Sequence, residues 1–391
     1  MIVVRGSPVG LSSDETVSLV AEESPWRGGL KGSVRVGDVS LAVQARGAEA
    51  SVFKCGHLAA GLYGYVGNWE EILEGSGSAF ARESEAAKLL AAWERLGEHT
   101  VDLLRGEFAL AVADGKAGSV LLARDLVGCR SLSWASTATG FIAAADPLQV
   151  LAATRERAEL STRRVVDYLI RNWVETEESV VSRVREVLPG SVYRLERRSS
   201  DFVPDSVPYW SPASGAKDPA LETRPTDMRS ILERAVARAL PATAAGVTLS
   251  GGLDSGAVYG LARKHHRERK PGTDSQTDGN LRAFSLVFPG IPSCDETPYI
   301  REWTGGGGAE IGMAASSARD GGATYTRALQ TIPYLTAHYS DILAREAGAH
   351  GVSCLLTGHG GDHWFDRAAA QQASLFGRLQ NIATLALQHG W

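Results

Sequence analysis

Val247 to Gly256 reads VTLSGGLDSG, an apolar run that passes straight into Ser250-Gly251-Gly252-Leu253-Asp254-Ser255 and then into a helix-like stretch. Glycine lets a backbone approach a ligand closely, and the N–H groups of such a turn and helix start point outward with the helix dipole behind them. That is an anion site, and phosphate is its natural guest. The Lys-Ser/Thr ending of a Walker A loop is missing. Instead Asp254 stands inside the loop, where it would repel phosphate unless a divalent cation lies between them, so Mg2+ is expected. A second constellation is LLTGHGGDHWFD, Leu355 to Asp366, in which Asp362 follows a glycine-rich turn at the end of another apolar run. Asp254 and Asp362, at neighbouring strand ends, could share one metal at the edge where open α/β sheets bind ligands. His359 and His363 have the i, i+4 spacing of a helical zinc pair, but the Gly-Gly between them works against that helix. A third candidate is PSCDETPYI, where Asp295 and Glu296 open a helix and read either as complements of its dipole or as substrate contacts.

These loops need rigid elements behind them. From Thr226 onward, helix and buried-strand patterns alternate: TDMRSILERAVARALP with Thr226 as N-cap, AGVTLS, GGLDSGAVYGLARKHH, LRAFSLVFPG, TAHYSDILAREAGAHG with Thr336 as cap, and VSCLLTGHGG. Such alternation predicts a parallel sheet with helices on both faces. Upstream, short apolar runs (SLAVQ, FALAVAD, SVLLARD, GFIAAAD) separated by turn formers predict a mainly antiparallel α+β domain. SEAAKLLAAWERLG, capped by Ser84 and striped by Ala87, Leu90 and Ala91, should pack a helix on that sheet. A second helix is expected around Thr162–Asn172, and VREVLPGSVYRLE supplies a turn and a closing strand. Arg197 to Pro225, dense in Pro, Ser and Asp, reads as a linker, and Arg263 to Asn280 as a surface excursion whose basic run is a solvated face. The expected domains are therefore residues 1–196 and 226–391, joined by the linker 197–225.

Composition narrows the function classes. The 391 residues are 44% hydrophobic and 22% charged, with 45 acidic and 40 basic side chains for a net charge of −5. That suits a globular chain of two or three domains and gives no electrostatic footprint for nucleic acid or a membrane surface. The four cysteines (Cys55, Cys129, Cys294, Cys354) have no metal spacing and are expected to be reduced core thiols. With no secretory signal and no apolar stretch near the roughly 20 residues of a membrane span, a soluble, cytoplasmic protein is expected.

The motifs together carry a family resemblance. SGGLDSG resembles the pyrophosphatase loop of the asparagine synthetase family, LLTGHGGD its later Ser-Gly-x-Gly-x-Asp loop, and AFSLVF its second strand. LLRGEFALAVADGKAGSVLLARDLVGCRSLSWA followed by FIAAADPLQVL is similar to the signature of that family's glutaminase-like domain. The resemblance implies an N-terminal α+β sandwich of the N-terminal nucleophile hydrolase type, followed by a doubly wound α/β ATP-pyrophosphatase domain. It implies ATP and Mg2+ as cofactors, with Asp254 and Asp362 as catalytic residues holding the metal. Ser250, Gly251, Gly252 and Ser255 would grip the pyrophosphate, while Leu249, Leu286, Thr357 and Gly358 would line the nucleotide site. The implied chemistry is attack of a carboxylate on the α-phosphorus, giving an acyl-adenylate, then amide formation with an amine.

Three departures direct the reading further. The glutamine-using members begin Met-Cys, whereas this chain begins Met1-Ile2-Val3, and their Asn-Gly is matched by Tyr63-Gly64. Glutamine-derived ammonia is therefore not expected, and the amine should belong to the substrate. The chain also ends at Trp391, before the lysine that the family's synthetase domain supplies, so a truncated domain is expected. His363 stands where the asparagine synthetases carry Glu, which is closer to the lasso-peptide cyclase branch. The expectation is a macrolactam cyclase that joins an Asp or Glu side chain of a precursor peptide to the peptide's N-terminal amine. A leader-binding protein and a leader peptidase would be its partners, and Trp303, Tyr334, Tyr339 and Trp364 could line an apolar cavity. The alternatives are an asparagine synthetase using free ammonia and a non-catalytic ATP-binding scaffold.

Overall fold

The run GEFALAVAD has no polar face, and in the computed structural model it is a strand covered from both sides. The structure describes residues 2–6, 30–45, 50–75, 83–137, 140–154, 157, 159–170, 176–198, 201–211, 225–241, 243–269, 281–288, 291–304, 312–315 and 337–361. The chain divides into two compact units, Met1–Glu222 with Ala328–Ile332, and Thr223–Arg327 with Pro333–Trp391.

The first unit runs β1 (Ile2–Gly6), β2 (Leu30–Val36), β3 (Val39–Ala45), β4 (Ala50–Cys55), β5 (Leu58–Val66), α1 (Glu85–Leu96), β6 (Gly106–Asp114), β7 (Ser119–Arg124), β8 (Ser133–Thr137) and β9 (Gly140–Ala144). It continues with α2 (Pro147–Thr154), α3 (Thr162–Leu169), β10 (Arg185–Glu186), β11 (Ser191–Arg198) and β12 (Asp201–Pro208). Two antiparallel sheets result, ordered β10-β8-β9-β1-β3-β2 and β12-β11-β7-β6-β5-β4. Alternate side chains of a strand leave by opposite faces. Ala109, Ala111 and Ala113 of β6 thus join Leu41, Phe141 and Trp134 between the sheets, while Phe108, Leu110 and Val112 pack under Leu89 and Leu90 of α1. Val150 of α2 covers Ala135, Ile142 and Ala144 on the far side of the other sheet. The outcome is a helix–sheet–sheet–helix sandwich, the expected α+β class. Ser84 caps α1 as expected, its Oγ accepting the Ala87 N–H at 3.3 Å. Asp125, fully buried, accepts the N–H groups of Phe108, Val127, Cys129 and Arg130 at 2.9–3.3 Å and so folds the turn after β7.

Two expectations need correction here. Residues 201–208, assigned to the linker, form β12, which pairs antiparallel with β11 along its length. Pro204 and Pro208 disguise it, yet β12 is the sheet's edge, where a missing N–H costs no ladder bond. The cysteines are free thiols, but Cys55, Cys129 and Cys294 are exposed and only Cys354 is half-buried. Cys129 sits in a bend after β7, Cys294 ends a short 3-10 helix (Pro292–Cys294) and Cys55 ends an edge strand, positions that have little core to join.

The second unit runs α4 (Pro225–Ala239), β13 (Ala245–Thr248), α5 (Leu253–Arg269), β14 (Leu281–Val287), α6 (Thr297–Thr304), β15 (Gly312–Ala315), α7 (Ala337–Ala349) and β16 (Cys354–Leu356). Thr226 lies inside α4 rather than capping it, because Pro225, with its preset φ, occupies the first helical position. The four strands pair parallel in the order β15-β14-β13-β16. Ala283 of β14 packs with Val236 of α4 and Ala262 of α5, while neighbouring Phe284 meets the His350 ring beyond α7 at 5.9 Å. Helices therefore lie on both faces of a parallel sheet, as the alternating pattern predicts. After β15 the order jumps back across β13 to β16, so a topological switch point falls between β13 and β16, and at such points open α/β sheets bind ligands beyond the strands' carboxyl ends.

Candidate functional site

The candidate site is built on β13. Leu249 extends that strand by one residue: its N–H donates to the Phe284 carbonyl at 2.8 Å, and its own carbonyl accepts the buried Ser285 hydroxyl at 2.7 Å. The chain then turns sharply. The Gly252 N–H donates to the Ser250 carbonyl at 2.7 Å, and Gly251 takes the left-handed φ of +72° that favours glycine. The Ser250 N–H donates to Ser255 Oγ at 3.1 Å, and the two hydroxyls lie 3.0 Å apart, which staples the loop to the first turn of α5. Ser255 is thereby buried, and Asp254 is half-buried beside it. The first turn of an α-helix leaves backbone N–H groups without intrahelical partners, and α5 begins where this loop ends.

The loop after β16 closes on the same spot. A Cβ at Gly358 would stand 2.7 Å from the Ser255 nitrogen and 2.9 Å from the Asp254 carbonyl carbon; one at Gly361 would lie almost on the Asp254 carboxylate. Only glycines allow this approach. Thr357 is exposed and its Oγ1 accepts the His359 N–H at 3.4 Å, while Gly358 is half-buried. Asp362 follows Gly361 directly but lies outside the described residues, as do His363, Tyr334, Trp364 and Thr336. Leu286 is half-buried on β14, next to the strand's end.

The third segment borders the first. Asp295 Oδ1 accepts the Thr297 N–H at 3.0 Å at the start of α6, and hydrogen bonds from Thr297 hold its carboxyl below the usual carboxylate range. Asp295 and Glu296 are both exposed. A Cβ at Gly251 would come within 2.9 Å of Tyr299 Cβ and 3.5 Å of Glu296 Cβ, so these residues stand against the loop. Trp303 packs its ring where a Cβ of Gly256 would be. Tyr339 meets Phe288 edge to face at 5.5 Å just past the end of β14. Sequence reasoning missed Gly361 and Tyr299 as neighbours of the loop; the glycine was visible, its contact was not. Among the described residues no group of three or more His, Cys, Asp or Glu could enclose a metal, and no helix is long and apolar enough to cross a membrane.

A glycine-rich loop at the switch point of a parallel sheet, in a chain that also carries an antiparallel α+β sandwich, defines a two-unit protein with an open α/β second unit. Residues 31–210 match the glutamine amidotransferase domain family and residues 227–385 the asparagine synthase family. A Mycobacterium tuberculosis protein, provisionally assigned as a glutamine-hydrolysing asparagine synthetase, is 26% identical over 78% of this chain and 46% of its own length. Asparagine synthetase B of Escherichia coli is 22% identical over 73% and 47%, and an amidase of Penicillium rubens 25% over 76% and 45%. The Bacillus subtilis glutamine phosphoribosylpyrophosphate amidotransferase structure, 13% identical, aligns with a TM-score of 0.38 over 91% of this chain and 90% of that one. The chain belongs to the asparagine synthetase family and spans about half the length of the curated relatives it matches.

Proposed function

We propose that this chain acts in ATP-dependent amide formation through an acyl-adenylate, and that the reaction is closure of a lasso-peptide macrolactam in the cytoplasm. The observation that carries the ligase reading is the meeting of Asp254 with the Gly358–Gly361 turn at the switch point between β13 and β16. A carboxylate oxygen of a precursor Asp or Glu bonds to the α-phosphorus of ATP as the bond to the bridging oxygen breaks and pyrophosphate leaves. The peptide's N-terminal amine then bonds to the acyl carbon, the bond to AMP breaks, and the amine's proton passes to solvent or a base. Gly251 and Gly252 let the backbone close on the phosphates, the start of α5 faces their charge, and Ser250 and Ser255 hold the loop's shape.

Mg2+ suits this site. It is commonly bound by one or two carboxylates plus substrate phosphates rather than by an all-protein cage, and the half-buried Asp254 carboxylate, cradled by Gly361, is such a donor. Asp254 and Asp362 would hold it, and it would offset the charge of the phosphate oxygens. An amine other than glutamine-derived ammonia is supported by Tyr63, which on the family resemblance stands where the asparagine is expected and lies beneath the Arg130 guanidinium at 5.1 Å, with Arg130 paired to Glu107 at 3.5 Å. A precursor peptide, a leader-binding protein and a leader peptidase are the partners this reading requires. A second reading is asparagine formation with free ammonia; the names of the relatives favour asparagine as product, though they specify glutamine as the nitrogen source. Mass spectrometry of a candidate precursor incubated with ATP, Mg2+ and the protein separates the two. Loss of one water that disappears in Asp254→Ala supports ring closure; no loss, with amide formed on free aspartate and ammonia, overturns it.

A further inference from the structure

Arg183 holds a backbone φ of +67°, the left-handed region that favours glycine, and among the described residues it is the one non-glycine to do so. Its turn is fixed on both sides. The Val184 N–H donates to the Val181 carbonyl at 3.2 Å, the Ser182 N–H to the Glu159 carbonyl at 2.8 Å, and the Ser161 N–H to the Val180 carbonyl at 2.9 Å. These bonds bring residues 157–161 beside residues 180–183. Glycine or asparagine is the usual occupant of such a left-handed turn position, so the arginine is kept at a cost, and an outlier of this kind points to use of its side chain.

Arg157, Glu159, Ser182 and Arg183 line a surface cavity of about 260 Å³. The three charged residues are exposed, and among the described residues Arg157 and Glu159 pair neither with each other nor with another charged group. A second cavity, of about 360 Å³, shares Arg183 and adds Glu177, Glu178, Val184 and Arg185. Its acids are taken up: Glu177 accepts the Tyr193 hydroxyl at 2.7 Å and pairs with Arg185 at 3.3 Å, and Glu178 accepts the Ser161 hydroxyl at 2.6 Å. The first cavity is therefore the one whose charges have partners to gain.

We infer that this first cavity binds a free α-amino acid, with its carboxylate on Arg157 and Arg183 and its ammonium on Glu159. The inference does not rest on the ligase reading. A guanidinium fork matches a carboxylate, the Ser182 hydroxyl can donate or accept, and Glu159 supplies the opposite charge. A bare oxyanion such as phosphate would gain from the arginines and be repelled by Glu159. Exposed charge pairs contribute little singly, so the affinity should be millimolar and should need all three charged contacts.

The test is a ligand-observed NMR titration of the whole protein with L-alanine, L-glutamate and L-lysine, probes that differ in side-chain charge, and with inorganic phosphate. At least one amino acid should bind, and its N-acetyl and α-carboxamide forms should bind about tenfold more weakly, as should the unblocked amino acid to Arg157→Gln and to Glu159→Gln. Arg183→Gly should weaken binding as much and yet melt no lower than the wild type, because glycine takes the left-handed φ without strain. Failure of all three amino acids to bind at millimolar concentration, phosphate bound as tightly as any of them, or undiminished binding by Arg183→Gly overturns the site. A lower melting temperature for Arg183→Gly would assign the arginine to holding the turn and overturns it as well.

Discussion

Asp146 caps α2 from a place that excludes water: its Oδ1 accepts the Leu148 N–H at 2.8 Å, and its carbonyl accepts the N–H groups of Gln149 and Val150. Burial pushes its pKa up to about 6, with the Glu186 charge adding to the rise and the Leu148 hydrogen bond opposing it. An acid whose folded pKa exceeds its unfolded value of about 3.9 favours the folded state when protonated. Its contribution is complete below about pH 4 and is lost as pH rises through about 6. A two-unit shift corresponds to roughly 3 kcal/mol as an upper figure. Urea midpoints of the protein should therefore carry a fall between pH 4 and 6 that Asp146→Asn, which keeps the acceptor, removes. An unchanged slope in that variant would assign the pH dependence to other carboxylates. Asp254 and Asp295 were recognisable as candidates from residue type and setting alone, the first as an acid inside a glycine turn and the second as an acid at a helix start. Asp146 was not, because its oddity is the water it lacks.

Among the elements of the second unit, the turn after β16 is tightly constrained. At Gly358 the atoms a side chain would strike are Ser255 and Asp254 backbone, which cannot swing away as a side chain could. Gly358→Ala should leave the far-ultraviolet circular dichroism unchanged yet lower pyrophosphate exchange by at least about a hundredfold, the scale expected when reacting groups are misplaced by about 1 Å. Near-normal exchange would mean the two loops do not need this approach. The elements themselves were largely legible: β6, β7, β9, β13 and β14 announced themselves as apolar runs, and α1 by its Ser84 cap. What hid was β12, whose prolines are tolerated because it hydrogen-bonds on one side only, and the half-turn by which α1 buries Leu89 in preference to Ala91. Both depend on neighbours that the local pattern does not carry.

On the scale of the molecule, two cores are built separately, one between and around the antiparallel sheets and one around β13 and β14. Nucleotide with Mg2+ should therefore slow amide hydrogen exchange at residues 249–256 and 357–361 while leaving β6 in the first unit unchanged. Equal slowing in β6 would show that the ligand is felt by both units. The meeting of Asp254 with the second loop was beyond sequence reasoning because it depends on strand order. That order has a consequence during synthesis. Ala245 pairs with Cys354, so the strand that completes the candidate site leaves the ribosome after the other described strands of its sheet. Until β16 docks, the loop bearing Asp254 is half a site beside an open sheet edge, and its pairing partner lies at long sequence separation. Nascent chains halted before Cys354 should thus have no use for nucleotide, and an exposed β13 edge is what a chaperone would find to hold.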